Sequence, residues 1–197
     1  MLNWTLPAGY QGLIFDCDGT LVDSMPLHYN AWITVLRRYD LDFPEARFYQ
    51  WAGIPVDEII RRLAAEKGVT VDAKAIAAER DAYFHSLPAS ELRPVAAVVD
   101  IAQRFRRQLP MAVATGSTKA SAEISLRAIG ILDWFNAVIS SQDVGAPKPA
   151  PDVFLMAAER IAVAPGNCVA FEDGDLGLRA ANAAGMYAVD IRPWLQR

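Results

Sequence analysis

Short apolar runs recur along the chain, and within each run the apolar residues stand at consecutive positions rather than at alternate ones. Such runs are typical of strands that are covered on both faces, as in a parallel sheet, whereas half-exposed strands alternate apolar and polar residues. The pattern predicts five buried strands: Gly12 to Phe15, Met111 to Ala114, Ala137 to Ile139, Cys168 to Phe171 and Met186 to Val189.

Segments with helical periodicity separate the later runs, and polar residues and glycines mark their ends. Ser117 is placed to cap a helix that ends at Gly130, and Asp175 to cap a helix that ends at Gly185. The resulting alternation of strand and helix predicts an α/β fold, with a doubly wound parallel sheet and right-handed crossovers.

The interval from about Met25 to about Leu92 breaks this rhythm, because it shows helical periodicity without a convincing strand. Prolines and small residues that suit linkers stand at both of its ends. Its length is sufficient for a small domain. We therefore expect residues 25–92 to form an inserted all-helical domain, and residues 1–24 and 93–197 to form the α/β core.

The composition is that of an ordinary globular protein, with 53% apolar and 21% charged residues. These values argue against disorder, and no apolar run approaches the ~20 residues that a membrane helix needs. Basic residues are scattered and the net charge is -4, so we expect neither a nucleic-acid nor a membrane partner. The opening MLNWTLPAGYQG lacks the features of a secretion signal, which leads us to expect a cytoplasmic protein, by default a monomer.

Polar residues follow several predicted strands at the point where each strand ends. In an open parallel sheet, ligands bind beyond the carboxyl ends of the strands, so these side chains are expected to meet at one edge. They comprise carboxylates, hydroxyls, a glycine and a lysine: Asp16, Asp18, Thr115, Gly116, Ser117, Lys148, Glu172 and Asp173.

Carboxylates gathered so closely would repel one another and take up protons unless a cation neutralised them. Mg²⁺ suits such a site, because it prefers a few carboxylates, water and the phosphate oxygens of a substrate. Lys148, Thr115, Gly116 and Ser117 then become candidate phosphate contacts, aided by backbone amides at the start of the next helix. The combination predicts metal-assisted phosphoryl transfer.

Two of the carboxylates receive distinct roles. Asp16 follows the first strand, where a metal and Lys148 would allow it to attack phosphorus in line and form an aspartyl phosphate. Asp18 lies two residues further on, and Gly19 allows a turn that points its side chain back over the site. Asp18 is therefore the candidate general acid for the departing alcohol and later the base for the attacking water.

Four short motifs follow one another along the chain: DCDGT from Asp16, ATGS from Ala114, KPAPD from Lys148 and FEDGDLGLRAANAAGM from Phe171. Together they resemble those of the haloacid dehalogenase (HAD) superfamily of phosphohydrolases, which implies a Rossmann-like core. The helical insertion after the first motif is similar to the cap domain of the branch that includes β-phosphoglucomutase and small sugar phosphatases. Within that branch, the cap segment most resembles enzymes that act on hexose phosphates such as fructose 1-phosphate.

The resemblance implies the same catalytic and phosphate-binding roles as the argument from the residues, and it adds the ligands of Mg²⁺. These are the Asp16 carboxylate, the Asp18 backbone carbonyl and the carboxylates of Asp173 and Glu172. Gly174 departs from the serine that often follows the acidic pair in this branch, so a hydrogen bond around the metal site would be missing.

His28 is one of two histidines in the chain. It follows the first motif closely and could face the site, so it is a candidate for the substrate pocket; the alternative is a packed or solvated helical histidine. The D-x-D start also occurs in calcium-binding loops. Here the glycine is fourth rather than sixth and Leu27 stands where glutamate would be required, which argues against calcium.

Three functions remain open at this stage. The first is a Mg²⁺-dependent phosphatase for a small phosphorylated metabolite, with the helical insertion as a lid. The second is a β-phosphoglucomutase-type mutase, which usually carries a basic cap residue where the stretch WAGIPVD has Pro55 and Val56. The third is a signalling receiver domain, in which the acidic pair precedes the phosphorylated aspartate and no helical insertion occurs. The order of the motifs and the insertion favour the phosphatase.

Overall fold

In the computed structural model, which describes residues 4–195, five strands form one parallel sheet. All strands, in chain order, are β1 Gly12–Phe15, β2 Val22–Asp23, β3 Arg93–Pro94, β4 Met111–Ala114, β5 Ala137–Ile139, β6 Cys168–Glu172 and β7 Tyr187–Asp190. The parallel sheet has the order β5-β4-β1-β6-β7, whereas β2 and β3 form a separate antiparallel pair. The central strand β1 therefore has β4 and β6 as its direct neighbours.

The five predicted strands are those of the parallel sheet. Three have the predicted bounds, and β6 extends one residue further, to Glu172. The last strand begins at Tyr187 rather than at Met186. The reason is that the Met186 amide donates to the carbonyl of Ala181, so Met186 still belongs to the turn that closes the preceding helix.

Helices connect the strands of the sheet and fill the interval between β2 and β3. Those in the described part of the chain are α1 Met25–Leu36, α2 Glu45–Gln50, α3 Val56–Lys67, α4 Ala73–Ser86, α5 Ala96–Phe105, α6 Lys119–Ala128, α7 Asp152–Arg160 and α8 Asp175–Ala183. Ser117 does not cap α6 as predicted; Thr118 does, because its side chain accepts from the amide of Ser121. Asp175 is the first residue of α8, and Gly174 holds the cap position.

Both faces of the sheet are covered by helices. Along β1, Leu13 and Phe15 belong to an apolar cluster that includes residues of α5 and α6, whereas Ile14 belongs to a second cluster with residues of α7 and α8. This two-sided burial explains why apolar residues stand at consecutive positions in the sequence. The predicted α/β fold, a Rossmann-like doubly wound sheet, is confirmed. Among residues 4–195, no helix has the length and apolar character required to cross a membrane.

Helices α1 to α4 lie between β2 and β3 and have an apolar cluster of their own. Its aromatic members include Trp32, Phe43 and Phe48, which pack with Ile60 and Leu63 of α3. The chain enters and leaves this helical segment through the antiparallel β2–β3 pair. This pair follows β1 closely in the chain, so the segment begins and ends near the residues that come after β1.

Candidate active site

All of the residues proposed from the sequence for catalysis, phosphate binding, metal binding and the substrate pocket line one cavity of about 330 Å³. The sheet order explains this convergence, because β4, β1 and β6 are neighbours and each ends at the same edge. The residues are Asp16, Asp18, His28, Thr115, Gly116, Ser117, Lys148, Glu172 and Asp173.

Lys148 is buried in the floor of the cavity, and its ammonium group donates hydrogen bonds to three acceptors. Its Nζ atom donates to Oδ1 of Asp16 at 2.7 Å, to Oε1 of Glu172 at 2.5 Å and to the carbonyl of Ala114 at 3.1 Å. Burial alone would lower the pKa of Lys148, but the two carboxylates outweigh it and raise that pKa. A lysine ammonium has three protons, so Lys148 must exchange one of these bonds to contact a phosphate.

Both carboxylate oxygens of Glu172 accept hydrogen bonds, and Oε1 accepts from Lys148. Its Oε2 atom accepts from the amide of Gly174 at 3.0 Å. The carboxylate reaches this position because α8 carries Gly177 beside it: a Cβ on Gly177 would lie 1.7 Å from Oε1 of Glu172. Glu172 is therefore the counter-ion of Lys148. A metal ion would bind the lone pairs of Glu172 that these hydrogen bonds leave free.

Asp16, Glu172 and Asp173 form a cluster of oxygen ligands, with one ligand atom from each within 4.8 Å of the others. Burial raises the pKa of Asp16 well above its usual value, although Lys148 opposes the change. Burial, reinforced by Glu172, raises the pKa of Asp173 to about 7, while a 3.0 Å hydrogen bond from Thr20 opposes it. Buried carboxyl groups with such pKa values fit a hard divalent cation, which would stabilise their charged forms.

Gly19 makes room for the Asp173 side chain. It has a φ of +84°, in the region that favours glycine, and a Cβ at this position would lie 2.3 Å from Oδ2 of Asp173. The first motif and the last motif therefore touch through a glycine and a carboxylate that lie far apart in the sequence.

Asp18 accepts three side-chain hydrogen bonds. Its Oδ1 atom accepts from Ser24 at 2.6 Å and faces Nε2 of His28 at 3.0 Å, and its Oδ2 atom accepts from Ser117 at 2.5 Å. Burial alone would raise the pKa of Asp18, but His28 and the two hydroxyls hold that pKa well below its usual range. Asp16 and Asp18, two residues apart, are thus shifted in opposite directions.

His28 is buried between the first motif and the helical segment. Its ring stacks on Phe84 with a centroid distance of 4.0 Å, and its Nδ1 atom lies 2.5 Å from a guanidinium nitrogen of Arg80. Burial lowers the pKa of His28, Arg80 adds to that effect, and the Asp18 carboxylate opposes it. His28 therefore lines the cavity, and its partner there is Asp18.

The loop after β4 forms the wall where phosphate contacts were predicted. Thr115 is buried, and its hydroxyl oxygen accepts from the amide of Ser117 at 3.0 Å. Gly116 faces the helical segment, since a Cβ on it would lie 3.6 Å from the Cα of Gly53. The loop around Gly53 therefore covers the predicted phosphate loop.

The part of the cavity away from the sheet is lined mainly by apolar and aromatic side chains of the helical segment. Trp32, Phe48 and Trp51 contribute to it, together with Ile54 and Val56. Its charged members on this side are Asp57, Lys74, Arg80 and Asp81.

Ser24 and Arg80 are site residues that the sequence did not single out. Ser24 is the last residue of LIFDCDGTLVDS, so its proximity to the acidic pair was a usable signal. No comparable signal marks Arg80, because it lies in the middle of α4 and is 52 positions from His28.

A family model described as haloacid dehalogenase-like hydrolase matches residues 10–185. The chain belongs to this family. It is 40% identical over 183 residues to the fructose-1-phosphate phosphatase YqaB of Escherichia coli, a match that covers 93% of this chain and 97% of that protein. It is 29% identical to the β-phosphoglucomutase of Bacillus subtilis, with 92% of this chain and 83% of that protein covered.

Among solved structures, a β-phosphoglucomutase from Clostridium difficile superposes with a TM-score of 0.81 at 24% identity, covering 92% of this chain and 84% of the other. This similarity supports the fold. Together with the family match, the relatives confirm the predicted superfamily and the predicted enzyme class, a phosphoric monoester hydrolase. Membership of this family also decides against the signalling receiver domain.

Proposed function

We propose that the protein is a Mg²⁺-dependent phosphatase that hydrolyses a small sugar phosphate through an aspartyl phosphate on Asp16. The observation that carries the proposal is that two carboxyl groups of one cavity have different partners. Asp16 is paired with the Lys148 ammonium, and Asp18 is held by three hydrogen-bonding groups. The Lys148 ammonium beside Asp16 favours the ionised form that a nucleophile needs, and the groups around Asp18 hold its carboxyl group in place for proton transfer.

In the first half-reaction, a carboxylate oxygen of Asp16 attacks phosphorus, and the bond from phosphorus to the sugar oxygen breaks. The departing sugar oxygen takes a proton from Asp18. Asp18 must be protonated for this step, so substrate binding has to replace one of the three donors that hold its carboxylate in the free site. In the second half-reaction, Asp18 accepts a proton from water while that water attacks phosphorus, and the bond to Asp16 breaks. Inorganic phosphate and the free carboxylate of Asp16 result, so the enzyme returns to its starting state.

Thr115, Gly116, Ser117 and Lys148 are the proposed phosphate contacts. Mg²⁺ would be held by Asp16 and Asp173, with the backbone carbonyl of Asp18 and the carboxylate of Glu172 as further oxygen ligands. When bound, the ion supplies positive charge that neutralises these carboxylates and the phosphate oxygens. Support for this assignment comes from the ligand atoms within 4.8 Å of one another and from the raised pKa values of Asp16 and Asp173.

A small sugar phosphate suits the cavity. Its volume of about 330 Å³ lies at the lower end of the range for ligand pockets, which favours a single sugar unit. Trp32 and Trp51 line the cavity and supply apolar surface for a sugar, and the neighbouring carboxylates offer acceptors to its hydroxyl groups. We propose that residues 25–92 act as the cap that closes over this substrate. Fructose 1-phosphate is the first candidate, because the relative from Escherichia coli is named for it.

A phosphosugar mutase is the second candidate, since a β-phosphoglucomutase is among the relatives. The cap position where that branch usually has a basic residue carries Pro55 and Val56, both of which line the cavity. Arg61 does not line this cavity; it pairs at the surface with Asp57 at 2.9 Å and with Glu58 at 3.1 Å. These contacts favour hydrolysis. Efficient formation of glucose 6-phosphate from β-glucose 1-phosphate would overturn this preference.

The proposed function is tested by measuring catalytic efficiency on a panel of phosphomonoesters with and without Mg²⁺. The panel contains fructose 1-phosphate, glucose 6-phosphate, β-glucose 1-phosphate, phosphoglycolate and a nucleoside monophosphate. We expect the hexose monophosphates to be hydrolysed most efficiently, and we expect activity to disappear when EDTA removes the metal. Equal activity in EDTA, or a preference for the nucleotide, would contradict the proposal.

A further inference from the structure

His85, which has no part in the proposed mechanism, joins the helical segment to the wall of the cavity. It lies in the last turn of α4, and its Nε2 atom is 2.8 Å from the hydroxyl oxygen of Ser121 on α6. Ser121 is 2% exposed, and its hydroxyl oxygen lies 2.9 Å from that of Thr118. Thr118 and Ser121 line the cavity, whereas His85 is not among its lining residues in the described part of the chain. The three side chains form a continuous row of polar groups from α4 to the loop after β4.

We propose that His85 is a positioning residue that acts through Ser121 and turns the hydroxyl proton of Thr118 toward the cavity, where Thr118 donates a hydrogen bond to an oxygen of the sugar. This inference rests on the proposed phosphatase function and adds to it a residue that recognises the sugar. The neighbouring Ser117 donates to Asp18, so Thr118 supplies a donor that the proposed acid and base does not use.

The oxygen of Thr118 has three hydrogen-bonding positions, one proton and two lone pairs, and Ser121 occupies two of them. One lone pair accepts from the amide of Ser121 at 3.3 Å, in the cap of α6. The 2.9 Å contact between the two hydroxyl oxygens takes a second position. One position is therefore left for a ligand. The direction of the bond between the two hydroxyls decides whether that position is a proton or a lone pair.

The proton on Nε2 of His85 sets this direction. The commoner neutral tautomer of histidine and its protonated form both carry a proton on Nε2, so Nε2 donates to the oxygen of Ser121. In the described part of the chain, the other polar neighbour of this buried hydroxyl is Thr118, and a buried hydroxyl proton needs an acceptor. Ser121 therefore donates to Thr118. Both lone pairs of Thr118 are then occupied, and its proton remains for the substrate.

The position of this row favours the sugar over the phosphate. Asp81, one turn before His85 on α4, lines the cavity on the side that the helical segment forms. Because His85 contacts Ser121, the wall made by Thr118 and Ser121 adjoins that side, where the sugar is proposed to bind. A group that only donates selects oxygen atoms that accept, such as the ring and hydroxyl oxygens of a sugar.

The first test changes the hydrogen-bonding polarity at position 85 while keeping one side-chain shape. Glutamine keeps a donor for Ser121, whereas glutamate has only acceptors. In His85→Glu the protons of Ser121 and Thr118 would both turn toward position 85, and Thr118 would present a lone pair to the sugar. We expect kcat/KM for the best hexose monophosphate of the panel to fall by roughly five- to tenfold relative to that for p-nitrophenyl phosphate, which has no sugar, as for one lost hydrogen bond. His85→Gln should keep this ratio within about twofold of its original value.

The matched control is Ser86→Ala, because Ser86 follows His85 and its hydroxyl donates to the carbonyl of Tyr83 in the same helix. It should leave both efficiencies unchanged. Equal ratios in His85→Glu and His85→Gln would overturn the inference. A packing role of His85 does not depend on polarity, and a contact of Thr118 with the phosphate would affect both substrates alike. Absence of activity on every phosphomonoester in the unaltered protein would instead reject the proposed function, so the two failures are distinguishable.

The second test needs no substrate. The chain has two histidines, so a protein labelled with ¹⁵N histidine gives two sets of ring signals, and the set that is lost in His85→Gln belongs to His85. We expect a proton on Nε2 of His85, and we expect its Nε2 signal to shift in Ser121→Ala, which removes the acceptor oxygen. An unprotonated Nε2, or an Nε2 signal that is unchanged in Ser121→Ala, would overturn the inference whatever the activities are.

Discussion

The hydroxyl of Ser117 donates to Oδ2 of Asp18 across 2.5 Å, although the two residues lie 99 positions apart in the sequence. Their loops follow β4 and β1, which are adjacent strands of the sheet. A serine hydroxyl has one proton to donate, so the Ser117 hydroxyl must give up this bond before it can donate to a phosphate. The contact links the predicted phosphate loop directly to the residue that moves the proton.

Replacing Ser117 tests this link. We expect Ser117→Ala to lower kcat/KM for fructose 1-phosphate by roughly tenfold, because a hydrogen bond to a charged carboxylate is worth about 1.5–3 kcal/mol. Ser125→Ala is the matched control, since the hydroxyl of Ser125 is buried with no partner in the described part of the chain. It should leave activity unchanged. An equal effect of the two substitutions would show that the Ser117 contact has no specific role.

A second prediction concerns Gly177, whose missing side chain makes room for Glu172. We expect Gly177→Ala to displace the Glu172 carboxylate from Lys148, because the new Cβ would lie 1.7 Å from Oε1. Activity should fall by at least tenfold, and the thermal midpoint of unfolding should also fall, because Lys148 would lose a buried partner. Gly174→Ala provides the comparison, since its Cβ would lie at an ordinary contact distance of 3.6 Å from Oε2. Similar losses in both variants would contradict this explanation.

The sequence was sufficient to predict the sheet and most of the cavity floor. Two-sided burial leaves a readable pattern in β1, β4 and β5, and parallel topology brings the residues after those strands to one edge. The predicted start of β7 was one residue too early. An apolar residue such as Met186 suits a buried strand and a buried turn equally, and only its hydrogen bond to Ala181 assigns it to the turn.

The wall formed by the helical segment could not be predicted from the sequence in the same way. Arg80 reaches the site only because α4 packs against α1, and a tertiary contact of this kind leaves no local pattern. The same holds for Trp32, which belongs to the apolar cluster of the segment and also lines the cavity. Periodicity predicted that the segment is helical, but it could not distinguish residues of the apolar cluster from residues at the cavity surface.

A third prediction concerns the proposed nucleophile. We expect Asp16→Asn to abolish turnover while preserving the fold, because the change is nearly isosteric and an amide does not attack phosphorus. Circular dichroism and the rate of phosphate release measure the two effects. The substitution also removes a carboxylate partner of Lys148, so binding of fructose 1-phosphate should be measured separately, through the fluorescence of Trp32 and Trp51 in the cavity wall. Turnover within tenfold of the unaltered protein would exclude Asp16 as the nucleophile.

The last prediction follows from the raised pKa of Asp173. Burial and the nearby Glu172 raise this pKa from its usual 3.8 to about 7, so in the metal-free protein the folded state binds a proton more tightly than the unfolded state does. The corresponding stability is fully present below the unfolded pKa and is lost as the pH rises through about 7. The free energy of unfolding in EDTA should therefore fall by roughly 2–4 kcal/mol between about pH 4 and about pH 8 through this group.

Mg²⁺ should reverse that loss, because it stabilises the charged carboxylates that burial disfavours. Urea unfolding at several pH values, with EDTA or with Mg²⁺, measures both effects. Asp173→Asn should reduce the pH dependence in EDTA and weaken the stabilisation by Mg²⁺; it should not abolish the pH dependence, because the pKa of Asp16 is raised in the same direction. A pH dependence identical in the variant and the unaltered protein would show that Asp173 is not a buried carboxyl group of this kind.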